Sequence, residues 1–206
     1  MNNKIFCFVL LYTILVFISM SSCDDCDGPV DTKFKVVELS GELQEASQSN
    51  ANRNWKFTDL GSDSIFFFQF AIRINHELEY YANNYLPSFN LIQSAYACDT
   101  EPARSQDRLE SIVIRSTSSF NAGYPEGADL AELFDVVVYS NDLFYERLAL
   151  TDYLATMPEG PISLTLILRE QPAETQPFSF DIAYHQDGVE FDLFEFSTDS
   201  VVIRRD

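Results

Sequence analysis

The sequence predicts an all-β fold: a single β-sandwich-like domain of mostly antiparallel strands with one or two short helices. Apolar and polar residues alternate with a period of two in many short segments, and this period is typical of half-buried strands. Turns that contain glycine or proline separate these segments, as in sandwiches built from many short strands. No repeat of fixed period is present, which argues against a propeller or a solenoid.

The first strands are expected in the N-terminal half. Phe34 to Leu39 is the first, and Ser64 to Asn75 is the clearest early one, because its residues alternate. One face of that strand would carry Phe66, Phe68, Phe70, Ile72 and Ile74. Gln44 to Asn54 lacks apolar periodicity and is expected to be a long loop. Glu77 to Tyr85 fits a helix or a strand equally well.

The C-terminal half contains further strands and one helix. Three strands are predicted at Glu110 to Ser116, Phe134 to Ser140 and Ile162 to Arg169. Leu148 to Met157 is expected to form two or three helical turns. The helix should end at Pro158 to Pro161, because proline cannot continue it.

A hairpin is predicted close to the C-terminus. Phe178 to His185 alternates, and Asp187-Gly188 supplies the turn, because this dipeptide is typical of two-residue hairpin loops. Phe194 and Phe196 fall out of phase with the residues just after the turn, which predicts a bulge or bend near Leu193. Thr198 to Arg204 is the last expected strand.

The head of the chain predicts export. Residues 1–22 contain Lys4 and a nearly unbroken apolar run from Ile5 to Phe17. That run is shorter than the about 20 residues that a membrane-spanning helix needs, and small residues follow it, as in a signal peptide. The alternative is an N-terminal membrane anchor that is not cleaved.

A cysteine follows the expected cleavage point. The segment Met20-Ser21-Ser22-Cys23 resembles the lipobox of a bacterial lipoprotein, although Leu is usual where Met20 stands. The resemblance implies cleavage before Cys23 and acylation (palmitate) of its thiol. Each buried CH₂ contributes about 0.8 kcal/mol, so several acyl chains would hold the protein on a membrane that it does not span.

Residues 23–32 are predicted to be a lipidated acidic tether, followed by the domain at residues 33–206. Asp24, Asp25 and Asp27 precede Gly28 and Pro29, which break regular structure. An acidic cluster behind a lipidated cysteine resembles the surface-export signal of Bacteroidota lipoproteins. In an enteric host, an Asp in second position would instead indicate retention at the inner membrane.

The charge of the mature chain limits its partners. Without residues 1–22 it has 32 acidic and 12 basic residues, a formal charge of −20. Nucleic-acid binding is not expected, because it depends on Lys and Arg that neutralise phosphates. No cofactor is predicted. The expected partners are a membrane, through the N-terminal lipid, and an envelope protein or a glycan.

The cysteines are expected to have separate fates. Cys7 leaves with the signal peptide and Cys23 carries the lipid, so Cys26 and Cys98 remain in an oxidising compartment. A disulfide between them would close a loop of 71 intervening residues, which contributes roughly 4 kcal/mol in the chain-entropy model. The alternatives are two free thiols, or a metal site, although two cysteines without a nearby His pair fall short of a zinc set.

Catalytic and metal-binding patterns are weak in this chain, and no catalytic or metal-ligating residue is predicted. His76 lacks the second His of a zinc-protease helix. His185 lies beside Asp187 near a turn, so a secreted-type hydrolase with an unseen Ser stays open as an alternative. An acidic Ca²⁺ module at residues 24–28 is another, although that segment lacks the alternating oxygen ligands of an EF-hand loop.

One group of aromatic residues could form a platform on which a sugar stacks. It comprises Trp55, Tyr80, Tyr81 and Tyr85. Most such aromatics belong to a core or its edge.

Several segments together resemble a family of uncharacterised Bacteroidota lipoproteins. They are the Cys-rich acidic head, NLIQSAYACDTEP around Cys98, ESIVIRSTSSFNAGYPEGADLAELF and FSFDIAYHQDGVEFDLFEFSTDSVVIRR. The resemblance implies a β-rich domain without an assigned activity, so only the cysteines carry over. Because the head holds Cys-x-x-Cys, either Cys23 or Cys26 remains a candidate partner of Cys98.

The functional expectation is therefore a membrane-anchored lipoprotein with a non-catalytic binding or structural role. Its expected location is the cell envelope, at the outer membrane or the cell surface.

Overall fold

A computed structural model describes residues 32–48, 54–82, 104–139, 145–161, 163–188 and 190–205. Residues 33–81 and 103–206 belong to one compact unit, and nearly all of the other unit lies outside the described residues. The described strands are β1 (Thr32–Gln48), β2 (Trp55–Asp59), β3 (Ser64–Phe66), β4 (Phe70–Ala82), β5 (Arg104–Ser105), β6 (Arg108–Ser116), β7 (Phe134–Tyr139), β8 (Tyr145–Ala149), β9 (Ser163–Leu168), β10 (Gln176–Phe178), β11 (Phe180–Asp187), β12 (Leu193–Ser197) and β13 (Val201–Arg204). The described helices are α1 (Leu150–Leu154) and two 3₁₀ turns at Phe67–Gln69 and Ala131–Leu133.

The strands form three sheets. The main sheet has the order β2-β1-β4-β9-β7-β8, and β5 also pairs with β1. The two small sheets have the orders β12-β11-β6 and β10-β13-β3. Most of these pairings are antiparallel, while β1–β5 and β3–β13 are parallel. The predicted all-β, sandwich-like domain with few helices is confirmed.

Alternate residues of the strands build one core between the sheets. Its members include Phe70, Ile72 and Ile74 of β4, Leu164, Leu166 and Leu168 of β9, Ile112 and Ile114 of β6, and Phe180, Ile182 and Tyr184 of β11. Each is at most 2% exposed, and burying one large apolar side chain stabilises a fold by about 1.5–3 kcal/mol. The period-two pattern therefore identified the inward faces of these strands correctly.

The predicted loop at Gln44 to Asn54 is wrong in its first part. Gln44 to Gln48 extend β1 and pair with β2. Ala46 of this extension joins a small second core with Ala71, Val137 and Ile167, against which Trp55 and Phe57 pack. The extension is stabilised by its pairing with β2 and by the burial of Gln44 and Ala46, so it forms a strand although most of its residues are polar.

The predicted strand Ser64 to Asn75 is interrupted. Its first three residues form β3, which pairs with β13, and its last part belongs to β4, which pairs with β9. The 3₁₀ turn Phe67–Gln69 lies where the chain passes from one sheet to the other. Phe70 is consequently buried as predicted, whereas Phe68 is 47% exposed.

The C-terminal hairpin is confirmed, with a different loop. β11 pairs with β12, but β12 begins only at Leu193. Phe194 and Phe196 pack against the core, while Leu193 is 47% exposed. The bulge or bend predicted near Leu193 corresponds to a bend at Asp192, directly before β12. The shift in pairing lies elsewhere, on β11 between His185 and Gln186, against β6.

The predicted helix Leu148 to Met157 is shorter than expected. Its α-helical part is α1, and Leu148 belongs to β8. Hydrogen-bonded turns continue to Met157, whose amide donates to the carbonyl of Leu154. Pro158 then ends the segment, as predicted.

Candidate functional site

The predicted lipid-attachment and disulfide residues lie outside the described residues. Cys23, Cys26 and Cys98 all fall there, as does the acidic segment 24–28. Lipidation, the disulfide and the Ca²⁺ alternative therefore stay predictions.

His185 lies half-buried on β11, on the face of the small sheet that points away from the core. In the strand register it stands opposite Ser111 of β6 and Leu193 of β12. Within the described part of the chain, no hydroxyl or carboxylate forms a hydrogen bond with the His185 side chain. These residues thus do not assemble the nucleophile–base contact that the hydrolase alternative requires.

Two of the aromatic residues considered for sugar stacking, Tyr80 and Trp55, lie at opposite ends of β1. Tyr80 packs against Phe34, with ring centroids 5.8 Å apart, at the start of β1. Trp55 pairs with Gln48 at the other end of β1, roughly 45 Å away at 3.3 Å per residue. The proposed platform is therefore not formed by these two, and Tyr85 lies outside the described residues.

Trp55 instead covers the outer face of the main sheet. Its ring stacks near Phe57 at 6.3 Å, and the Arg147 guanidinium lies 5.7 Å from its centroid. Arg147 also donates a 2.5 Å hydrogen bond to the Oδ2 of Asp135, which is 8% exposed. A cation–π contact joined to a charge-assisted hydrogen bond holds β2 over β7 and β8, which is a structural role.

A polar pair of a half-buried and a fully buried residue connects the two layers of the sandwich. His76 of β4 lies inward, and its Nε2 is 3.4 Å from the hydroxyl of Tyr184 on β11. The rings meet edge to face at 5.5 Å. Burial lowers the pKa of His76 to about 4 and raises the pKa of Tyr184, because desolvation disfavours the charged form. Both side chains are therefore neutral at pH 7.

Sequence reasoning missed this role of His76. It considered His76 only as half of an absent zinc motif. The available signal was the period of two, since His76 continues the inward series Phe70, Ile72 and Ile74.

A second buried polar residue lies near this pair. Asp107 is fully buried, and its Oδ2 accepts a 2.9 Å hydrogen bond from the backbone N–H of Val36. Its own carbonyl accepts a 2.8 Å bond from the amide of Gly160. Its negative charge also contributes to the raised pKa of Tyr184, after burial and the neighbouring Tyr153. Asp107 thus joins β1, the start of β6 and the segment after α1.

A polar groove lies on the outer face of the β6–β11–β12 sheet. Its volume is about 350 Å³, and its lining includes Arg115, Asp181, Glu195 and Ser197. Ser197 donates a 2.6 Å hydrogen bond to the Oδ1 of Asp181. The groove runs beside β12, which is the edge strand of its sheet. An exposed guanidinium next to carboxylates can bind a partner that carries both hydrogen-bond donors and acceptors.

The described residues offer no group of three or more His, Cys, Asp or Glu that could hold a metal ion. No helix within them is long and apolar enough to cross a membrane. Comparison with known proteins finds no matching family model, no matching curated protein and no matching solved structure.

Proposed function

We propose that this protein is a lipid-anchored envelope protein with a non-catalytic binding or structural role. The observation that carries the proposal is Met20-Ser21-Ser22-Cys23 directly after an apolar run. Acylation of Cys23 would fix the chain to a bilayer, since buried acyl chains contribute about 0.8 kcal/mol per CH₂. Membership of the Bacteroidota lipoprotein family, and display at the outer membrane or cell surface, are parts of the same proposal, supported by the acidic residues behind Cys23.

The groove on the β6–β11–β12 sheet supports a binding role. Its charged side chains are exposed and lie on a sheet whose other face is fixed by the core. Sites on rigid strands hold their side chains in place better than sites on loops. An envelope protein or a glycan would provide the complementary donors and acceptors.

The anchor is tested by metabolic labelling with palmitate. Wild-type protein should incorporate the label, and Cys23→Ala should lose it. Cys26→Ala is the matched control, because it removes a cysteine three residues away and should keep the label. Equal labelling of wild type and Cys23→Ala would refute the anchor.

Surface display is tested by protease treatment of intact cells. A surface protein should be degraded while a periplasmic marker remains intact. Full protection of the protein, with degradation after the outer membrane is permeabilised, would place the domain inside.

The groove is tested with a photoreactive amino acid in place of Asp181. Illumination of cells should give a discrete adduct, whereas the same amino acid at the exposed Glu126, outside the groove, should not. Adducts of the same size from both positions would contradict a specific site at the groove.

A disulfide between Cys26 and Cys98 is part of this proposal. It would tie the tether to the domain and would shorten the path from the lipid to the first strand. Its contribution follows from the loop that it closes in the unfolded chain.

A further inference from the structure

Three segments meet at the end of the domain where β1 begins, here called the tether end. Lys35 of β1 forms an ion pair with Glu79 of β4, 3.1 Å away, and another with Glu190 of the β11–β12 loop. Phe34 packs on Tyr80. The start of β1, the end of β4 and the β11–β12 loop therefore lie together.

The segment after α1 reaches the same end. The amide of Leu109 donates a 3.0 Å hydrogen bond to the carbonyl of Pro158. The backbones of Arg108 and Glu159 form an isolated antiparallel β-bridge. Arg108 also stands opposite Asp187 at the end of β11. Met157, directly before Pro158, consequently belongs to the tether end.

Exposed apolar side chains concentrate at this end. The described residues include six large apolar side chains that are exposed, and four of them lie here: Tyr80 (56%), Met157 (62%), Phe191 (41%) and Leu193 (47%). Clustered exposed apolar side chains mark surfaces that contact another molecule or a membrane.

The opposite end is identified by the contacts between β1 and β4. Gln69 donates a 3.0 Å hydrogen bond to Glu45, ten residues further along β1 than Lys35. That is roughly 33 Å at 3.3 Å per residue. Phe68, 47% exposed, lies next to Gln69 and is therefore far from the tether end.

The tether end is about as acidic, per residue, as the rest of the chain. Residues 33–36, 78–81, 104–109, 156–161 and 186–193 contain four basic and six acidic residues, so their formal charge is −2. The whole mature chain of 184 residues carries −20, so these 28 residues have a similar charge per residue. Exposed apolar and aromatic side chains suit a zwitterionic membrane surface, where aromatic rings lie at the level of the headgroups.

The length of the tether limits how far this end can be from the lipid. Nine peptide units separate Cys23 from Thr32, and a fully extended chain of this length spans about 30 Å. We propose, on the basis of the lipid anchor proposed above, that the tether end docks on the bilayer that holds Cys23. Tyr80, Met157, Phe191 and Leu193 insert into the headgroup region and orient the groove relative to the membrane.

The test uses the full lipidated protein in vesicles of phosphatidylcholine with brominated acyl chains, which quench tryptophan on contact. Phe191→Trp places the probe at the tether end. Phe68→Trp is the matched control, because its side chain is similarly exposed at the far end. Trp55 is replaced by Phe in both variants, so that each contains a single tryptophan. In a second pair of variants Trp55 is kept, and the signal of the wild type, which contains only Trp55, is subtracted.

The expected result is stronger quenching at position 191 than at position 68, by about twofold or more, as for a ring at the bilayer interface. Recovery of the wild type with floated vesicles is measured in parallel. Failure of the wild type to float would overturn the anchor, and the docking with it. Flotation without quenching at 191 would overturn the docking alone, including the case where another part of the chain covers this end. Equal quenching at both positions would also overturn it, because the domain would have no fixed orientation.

Discussion

Acidification is expected to destabilise the protein through His76. The unfolded chain binds a proton at His76 below a pKa of about 6.5, whereas the folded chain binds it only below about 4. Between these values the unfolded state holds more protons, so the free energy of unfolding falls as the pH falls. The contribution of neutral His76 to the free energy of unfolding is fully present above about pH 6.5 and is lost below about pH 4.

The size of the effect follows from the pKa shift. A shift from 6.5 to about 4 corresponds to at most about 3 kcal/mol, at 1.36 kcal/mol per unit. At pH 5 the unfolded His is almost fully protonated and the folded His is not, so about 2 kcal/mol of this should already be lost. Carboxylates also titrate in this range, which makes a comparison between variants necessary.

Urea unfolding of the wild type and of His76→Phe at pH 7.5 and pH 5.0 isolates this contribution. Phe keeps a ring against Tyr184 and removes the titration. The wild type should lose about 2 kcal/mol more than the variant between the two pH values. His185→Phe is the control with the other histidine and should retain the wild-type loss, because His76 is still present. Equal losses in the wild type and in His76→Phe would refute the reasoning.

Three further predictions concern stability. A Cβ on Gly41 would lie 2.7 Å from the Cε2 of Phe196, so Gly41→Ala should lower the urea midpoint and cost about 1–3 kcal/mol of stability. Gly61→Ala is the control and should leave the midpoint nearly unchanged, because a Cβ there has nothing within 4 Å. Equal effects of the two substitutions would contradict the close packing of Gly41 on Phe196. Asp107→Ala should cost about 1–3 kcal/mol in the same assay, because the buried amide of Val36 loses its acceptor, whereas the exposed Asp199→Ala should be nearly neutral. Cys26→Ser and Cys98→Ser should each lower the melting temperature, because each removes a bridge that contributes roughly 4 kcal/mol to the free energy of unfolding. The double variant should be no less stable than either single variant, and additive losses would show that the two cysteines do not form one bridge.

The strands that could be predicted correctly from the sequence are those in which several successive inward-facing residues are apolar. Ile112 and Ile114 in β6, and Val201 and Ile203 in β13, are each at most 2% exposed. Burial of alternate residues is a local property of a strand that packs on one side. It can therefore be recognised without knowledge of the partner strand.

The polar end of β1 could not be recognised in this way. Only Ala46 of that segment contacts an apolar cluster, and its strand conformation depends on pairing with Trp55 to Asp59. The interrupted strand at Phe67–Gln69 shows the same limit, because alternation continues across a point where the chain changes sheets. Pairing partners and sheet changes are decided by tertiary contacts, which override local preference.

The candidate site residues depend still more on distant contacts. His76 lies 108 positions from Tyr184, so its burial follows from the pairing of layers and not from its neighbours in sequence. The same holds for the tether end, where Lys35 contacts Glu190, 155 positions away. Phe191 packs on Phe194 at 5.9 Å, and Phe194 packs on Tyr184 at 6.3 Å.

This chain of rings extends from the half-buried His76 to the exposed Phe191. A ring supported from within by the core keeps a fixed position, because packed side chains occupy defined rotamers. The ion pairs of Lys35 with Glu190 and Glu79 act from the outside of the same loop, and the hydrogen bond from Lys35 to Glu190 raises the pKa of Lys35, so it stays charged at neutral pH. The exposure of Phe191 is thus imposed from both sides of the loop, which is what a surface that docks in one orientation requires.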